Sequence, residues 1–227
     1  MKTIAFAGCL LLFLCCVPLP VGAEPTAAEM KDWQETRAKS ESGDVNAQYR
    51  LAAMYATGKG VAKDDAEAVK WYRKVAEQND ARGQSMMGVM YTNARGVPRD
   101  YTEAMIWFRK AAAQNSAHAQ YNLGFMYANG KGVTQDDVAS AEWYRKAAEQ
   151  NDINSQRILG SLYAAGRGVP KNLILAHAWN AVAGDTNGNE AAKQELPKLA
   201  AQMTPEQLTA AKQLALEINA RLAARKK

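Results

Sequence analysis

Cysteine is scarce in this 227-residue chain, and its placement removes most of what cysteine does. Cys9, Cys15 and Cys16 all fall within residues 1–23. That stretch carries Lys2 as a positive start, an uncharged run from Ile4 to Val17, and the small residues Val21-Gly22-Ala23, which together predict a cleaved secretory leader. The mature chain then starts near Glu24 without cysteine, which excludes disulfides, thiol nucleophiles and cysteine-ligated metal. A chain that needs no oxidative folding suits the bacterial periplasm, with secretion as the other destination. Pro18 and Pro20 break the end of the apolar run, so no stable membrane anchor is expected once the leader is removed.

Histidine is almost as rare. His118 and His177 are the only two, and a zinc site needs three or four donors, so no metal is expected. Neither a G-x-S-x-G elbow nor an S-x-x-K pair occurs. The carboxylate pairs Asp64-Asp65 and Asp136-Asp137 read as helix starts, not as acid/base machinery. The sequence therefore predicts no catalytic residue, no cofactor and no enzyme. A basic surplus is also lacking where nucleic acid would need it. The chain has 28 Lys and Arg against 23 Asp and Glu, but Arg221, Arg225, Lys226 and Lys227 cluster at its end, and no basic stripe runs along it. Nucleic-acid binding is not expected.

What the chain has instead is a repeat. Tyr55, Tyr91, Tyr127 and Tyr163 return every 36 residues, as do Trp71, Trp107, Trp143 and Trp179. A fixed period of this length marks a stacked array in which each unit buries its core against its neighbours. The units run 43–78, 79–114, 115–150 and 151–186. In the first helix of unit one, Gln48, Leu51, Ala52 and Tyr55 form one stripe. Its second helix carries Ala68, Trp71, Tyr72, Val75 and Ala76 at matching spacing, and recurrence of the aromatic ladder reads as core packing. The intervening loops, Gly58-Lys59-Gly60-Val61 and its counterparts, end the first helix through positive φ and return a valine to the core. They lack the parts of a phosphate loop. Asp64, Asp100, Asp136 and Asn172 are N-caps, with Glu67 and Glu103 completing capping boxes. Residues 24–42 read as an N-terminal capping helix. Residues 187–227 read as C-terminal capping helices, the last starting at Thr204-Pro205-Glu206-Gln207.

The pattern A-Q-x-x-L-G-x-x-Y, G-x-G-V, D, A-x-x-W-Y-x-x-A-A, fullest in Ala119 to Ala148, resembles the Sel-one-like repeat (SLR) family, relatives of the tetratricopeptide repeats, from Gly43 to Gly184. The resemblance implies an all-α, right-handed solenoid of antiparallel helix pairs whose first helices line a concave face. It also implies an adaptor in signalling, envelope or secretion processes. Some bacterial members resemble immunity proteins against secreted lipases, including type VI effectors. A cysteine-rich branch is linked to β-lactam or peptidoglycan chemistry, from which this chain departs by lacking mature cysteine.

Turning the stripe inward places a variable set of side chains on the opposite side of each first helix. The candidate protein-binding residues are Tyr49, Arg50, Met86, Val89, Tyr121, Asn122, Phe125, Arg157 and Ile158. Apolar residues on a wet face, flanked by Arg and Tyr, suit a protein partner such as a secreted effector or a cell-envelope enzyme. Adaptor and inhibitor need the same surface, and a hydrolase is the least favoured alternative.

Overall fold

The computed structural model describes residues 25–186 and 188–225. The expected leader over 1–23, with its cysteines, lies outside the described residues, as do Lys226 and Lys227. The described chain is helical throughout. In order it forms α1 (Ala27–Glu41), α2 (Val45–Thr57), α3 (Asp65–Glu77), α4 (Ala81–Asn93), α5 (Tyr101–Ala113) and α6 (Ala117–Asn129). It continues with α7 (Asp137–Ala148), α8 (Ile153–Ala165), α9 (Leu173–Ala181), a π-helical turn (Val182–Thr186), α10 (Glu190–Ala200) and α11 (Pro205–Ala224). None of these helices is long and apolar enough to cross a membrane.

Local chemistry sets the boundaries. Asp64, Asp100, Asp136 and Asn172 each accept a backbone N–H in the first turn of the helix they precede. The capping boxes expected in units one and two are incomplete: Glu67 pairs forward with Lys70 instead of reaching back, and α5 is capped by the Asp100 side chain alone. Complete boxes close α1 through Thr26 and Glu29 and α11 through Thr204 and Gln207. Each first helix ends on a left-handed residue, and in α4 that residue is Ala94 at φ +55°, where the other repeats have glycine. The next glycine in the loop serves close approach. A Cβ on Gly132, at φ +68°, would lie 2.5 Å from the carbonyl oxygen of Tyr101 in the preceding repeat, so only a bare backbone fits there.

The inward stripes bury as expected. Leu51, Met87, Leu123 and Leu159 are sealed. Gly88 and Gly124 let the rings of Phe108 and Tyr144 lie against α4 and α6. The buried glutamines are hydrogen-bonded rather than stranded: Gln48, Gln84 and Gln120 accept from Gln78, Gln114 and Gln150 at 2.7, 2.8 and 2.6 Å. Between repeats, Arg73, Arg109 and Arg145 donate to the hydroxyls of Tyr91, Tyr127 and Tyr163 at 3.1, 3.1 and 3.0 Å. The tryptophan ladder is less buried than the sequence suggests. Trp71, Trp107 and Trp143 are half-exposed, with Lys74, Lys110 and Lys146 lying 4.0, 4.4 and 4.2 Å over their rings, and only Trp179 is fully enclosed. The indole fills the seam with one edge while its face serves a lysine stem.

The two ends are closed differently. α1 stands in for a missing second helix: Gly60 packs against the Glu29 carbonyl as Gly96 does against Asp65, and Thr36 and Ser40 are buried in the slots of Tyr72 and Ala76. At the other end, α10 and α11 both pack on α9, and Ala215, Ile218 and Leu222 join Trp179 in one core cluster. The tip of α11 reaches back to repeat three, where Arg225 donates to the Glu149 carbonyl at 3.1 Å.

Candidate protein-binding groove

The first helices α2, α4, α6 and α8 crowd together on one side of the array, where α4 meets α6 directly, which makes that side the inner face of the curve. Two side-chain bridges cross the groove floor. Arg82 donates to Asn46 at 2.8 Å and its guanidinium lies 5.1 Å over the Tyr49 ring. Ser85 and His118 Nδ1 are 2.7 Å apart. Ser85, on the same side of α4 as Met86 and Val89 by helical phase, is thereby buried beneath His118. Crowding by the protein lowers the His118 pKa, against the smaller opposing pull of Asp152.

Stacking by 36 residues sets the candidate residues in rows. One row holds Ala53, Val89, Phe125 and Ser161, and the next holds Arg50, Met86, Asn122 and Ile158. Phe125 is 39 % exposed. Met86, Val89 and Ile158 are half-buried, each with one flank in a core cluster and the other toward the groove. Tyr49 and Tyr121, also half-buried, lie edge-on to Tyr72 and Tyr144 at 5.5 and 5.8 Å. Burial pushes the Tyr72 hydroxyl up to about 12 and raises that of Tyr144 as well, so both stay neutral.

Charge in the groove is mostly consumed internally. Arg50 is paired with Asp32 of α1 at 2.6 Å. Arg82 is paired with Asp80, whose carboxyl it holds below the usual range. The Arg157 guanidinium makes no hydrogen bond or ion pair among the described residues, although the residue is half-buried and its carbonyl accepts from Ser161 Oγ at 3.2 Å. Polar rows frame the apolar strip in a uniform way. Asn93, Asn122 and Asn129 donate Nδ2 to the carbonyls of Val89, His118 and Phe125 at 3.1, 2.7 and 2.7 Å. Only the amide nitrogen can donate to a carbonyl, so each Oδ1 is left to accept. The groove thus offers apolar surface, acceptor Oδ1 atoms at Asn93 and Asn129 in one row and at Asn122 in another, and one uncommitted guanidinium. The nine residues singled out from sequence all belong to α2, α4, α6 and α8; Arg50 and Phe125 are exposed, and the other seven are half-buried. His118 and the acceptor asparagines Asn93 and Asn129 stand on the same side of these helices by helical phase, with Ser85 buried beneath His118.

Helix pairs stacked in constant register, with an open inner face, define an α-solenoid of the interaction-scaffold class. The profile of the Sel1 repeat matches residues 45–80, 81–116, 117–152 and 153–179, and the chain belongs to that family. It is similar to a protective antigen of uropathogenic Escherichia coli displaying an SLR fold (36% identity, TM-score 0.80, covering 86% of this chain and 42% of that one). It is also similar to a Sel1 repeat protein from Oxalobacter formigenes (34% identity, TM-score 0.68, covering 75% and 50%). An immunity protein from Pseudomonas aeruginosa shares the fold (24% identity, TM-score 0.53, covering 87% and 78%). The chain spans half or less of the length of the first two. No curated protein matches it significantly. Sel1 repeat proteins are generally protein-interaction scaffolds.

Proposed function

We propose that this protein is a non-catalytic periplasmic scaffold that captures a protein partner in the groove lined by α2, α4, α6 and α8. The observation that carries the reading is an asymmetry within each first helix. Its inward positions repeat almost unchanged, while Met86, Val89, Phe125 and Ile158 differ from unit to unit and keep apolar surface in contact with water. Solenoid stability is supplied mainly by the recurring positions, and although Met86, Val89 and Ile158 lend one flank to the core, the apolar surface they and Phe125 leave outside it meets no such requirement. Exposed apolar surface rimmed by polar groups is the usual anatomy of a docking site. The partner's apolar side chains cover this surface, its N–H groups meet the asparagine Oδ1 atoms, and an acidic residue meets Arg157. An inhibitor of a secreted envelope enzyme is the narrower form of this reading. The likeness to an immunity protein is one of fold and does not select it.

The test is site-specific photo-crosslinking in the producing cell. A photoreactive residue in place of Asn122, in the groove, should yield a discrete adduct, and one in place of Ile106, exposed on α5, should not. Equal labelling from both positions, or none from position 122, would remove the groove as the docking face.

A further inference from the structure

A second site lies at the C-terminal end, where the repeat pattern stops. α10 and α11 both pack on α9 yet barely touch each other, so a cleft opens between them. Its volume is about 500 Å³, with a floor from α9 and walls from the two capping helices. Within the array the corresponding seam is closed by the next first helix, but here the π-helical turn after α9 and the turn before Thr204 carry the chain away. The walls are mainly aliphatic: Leu196, Pro197 and Ala200 from α10 face Leu208, Ala215 and Leu216 from α11, with the polar His177 and Asn219, both already engaged within the protein, also in the lining. Leu216 is 64 % exposed, the highest among the exposed large apolar side chains of the described residues. At the rim stands Lys212, which makes no ion pair or hydrogen bond among the described residues.

From this geometry we infer that the α9–α10–α11 cleft binds a single-chain fatty-acid anion, with the acyl chain between the leucines and the carboxylate on Lys212. The volume falls in the range of small-molecule sites, and an apolar lining with few polar groups is their usual composition. The charge selects the head group. Lys212 is the one lysine or arginine in the lining, and with His177 and Asn219 engaged elsewhere a single ammonium matches a monovalent carboxylate, whereas a phosphate head would call for several donors. This site shares no residue with the groove, so it stands or falls independently of the docking reading.

Titration calorimetry on the purified protein tests it, using octanoate, decanoate and laurate below their micellar concentrations. Affinity should rise about three- to fourfold for each methylene buried. Dodecyltrimethylammonium, with the same chain and opposite charge, should bind at least tenfold more weakly than laurate. Lys212→Ala should weaken laurate about tenfold, as expected for loss of a charge-assisted contact. Ala200→Trp, which fills the cleft, should abolish binding. Leu216→Gln, at an exposed position that folding does not need, should weaken binding severalfold and decides the matter if the tryptophan variant fails to fold. Absence of laurate binding, equal affinity for the cationic amphiphile, or undiminished binding to Lys212→Ala or Leu216→Gln would overturn the assignment.

Discussion

Phe108 and Phe125 sit in adjacent helices and follow opposite rules. Phe108, on α5, is fully buried against Gly88, in a slot filled by Tyr72 and Tyr144 in neighbouring repeats. Phe125, on α6, occupies a row whose other members are Ala53, Val89 and Ser161, and 39 % of it remains exposed. The first face is periodic because every unit must fit the same neighbour. The second is aperiodic because no neighbouring repeat constrains it in that way. Side chains that recur hold the solenoid together, and side chains that vary are available to something outside it.

Three substitutions probe the periodic side of this contrast. Phe108→Ala should be the most damaging, lowering stability by about 3–5 kcal/mol in urea denaturation, since it empties an enclosed site at the middle of the array. A loss under about 1 kcal/mol would mean the seam collapses to fill the gap and that its register is not specific. Gly132→Ala should cost about 2–3 kcal/mol by the same measurement, combining a left-handed alanine with overlap on the Tyr101 carbonyl. An unchanged midpoint would show that the loop does not seat on the preceding repeat. Ala94→Gly should act in the opposite sense and stabilise by about 0.5–1 kcal/mol, because Ala94 already holds φ +55° where glycine is found in the other units. Destabilisation would indicate that the Ala94 methyl has packing worth more than the backbone cost.

How much of this was legible in the sequence follows from the same contrast. The inward stripes, the glycine loops and the N-caps were readable because four copies report one environment. The Arg-to-Tyr hydroxyl bonds were equally periodic, since Arg73, Arg109 and Arg145 recur in step with the tyrosines, yet helical phase within one unit does not show contacts made to the next. Ser85 shows the same limit: helical phase puts it on the groove side of α4, and its burial involves His118 in the following repeat. The tryptophans read as core because recurrence reports a shared environment without reporting how deep it is, and here a lysine stem covers the face that the neighbouring helices leave open. The C-terminal cleft was not readable, because α10 and α11 stand outside the period and their separation depends on two turns that have no counterpart to compare.

The most direct test of the division between the two faces is Phe125→Ala, followed by urea unfolding together with adduct yield from the photoreactive residue at position 122. The account predicts a stability change below about 1 kcal/mol, typical of a substitution that opens no enclosed cavity, and a clear loss of the adduct. A loss of several kcal/mol, approaching that of Phe108→Ala, with the adduct retained per folded molecule, would contradict it and return Phe125 to the core.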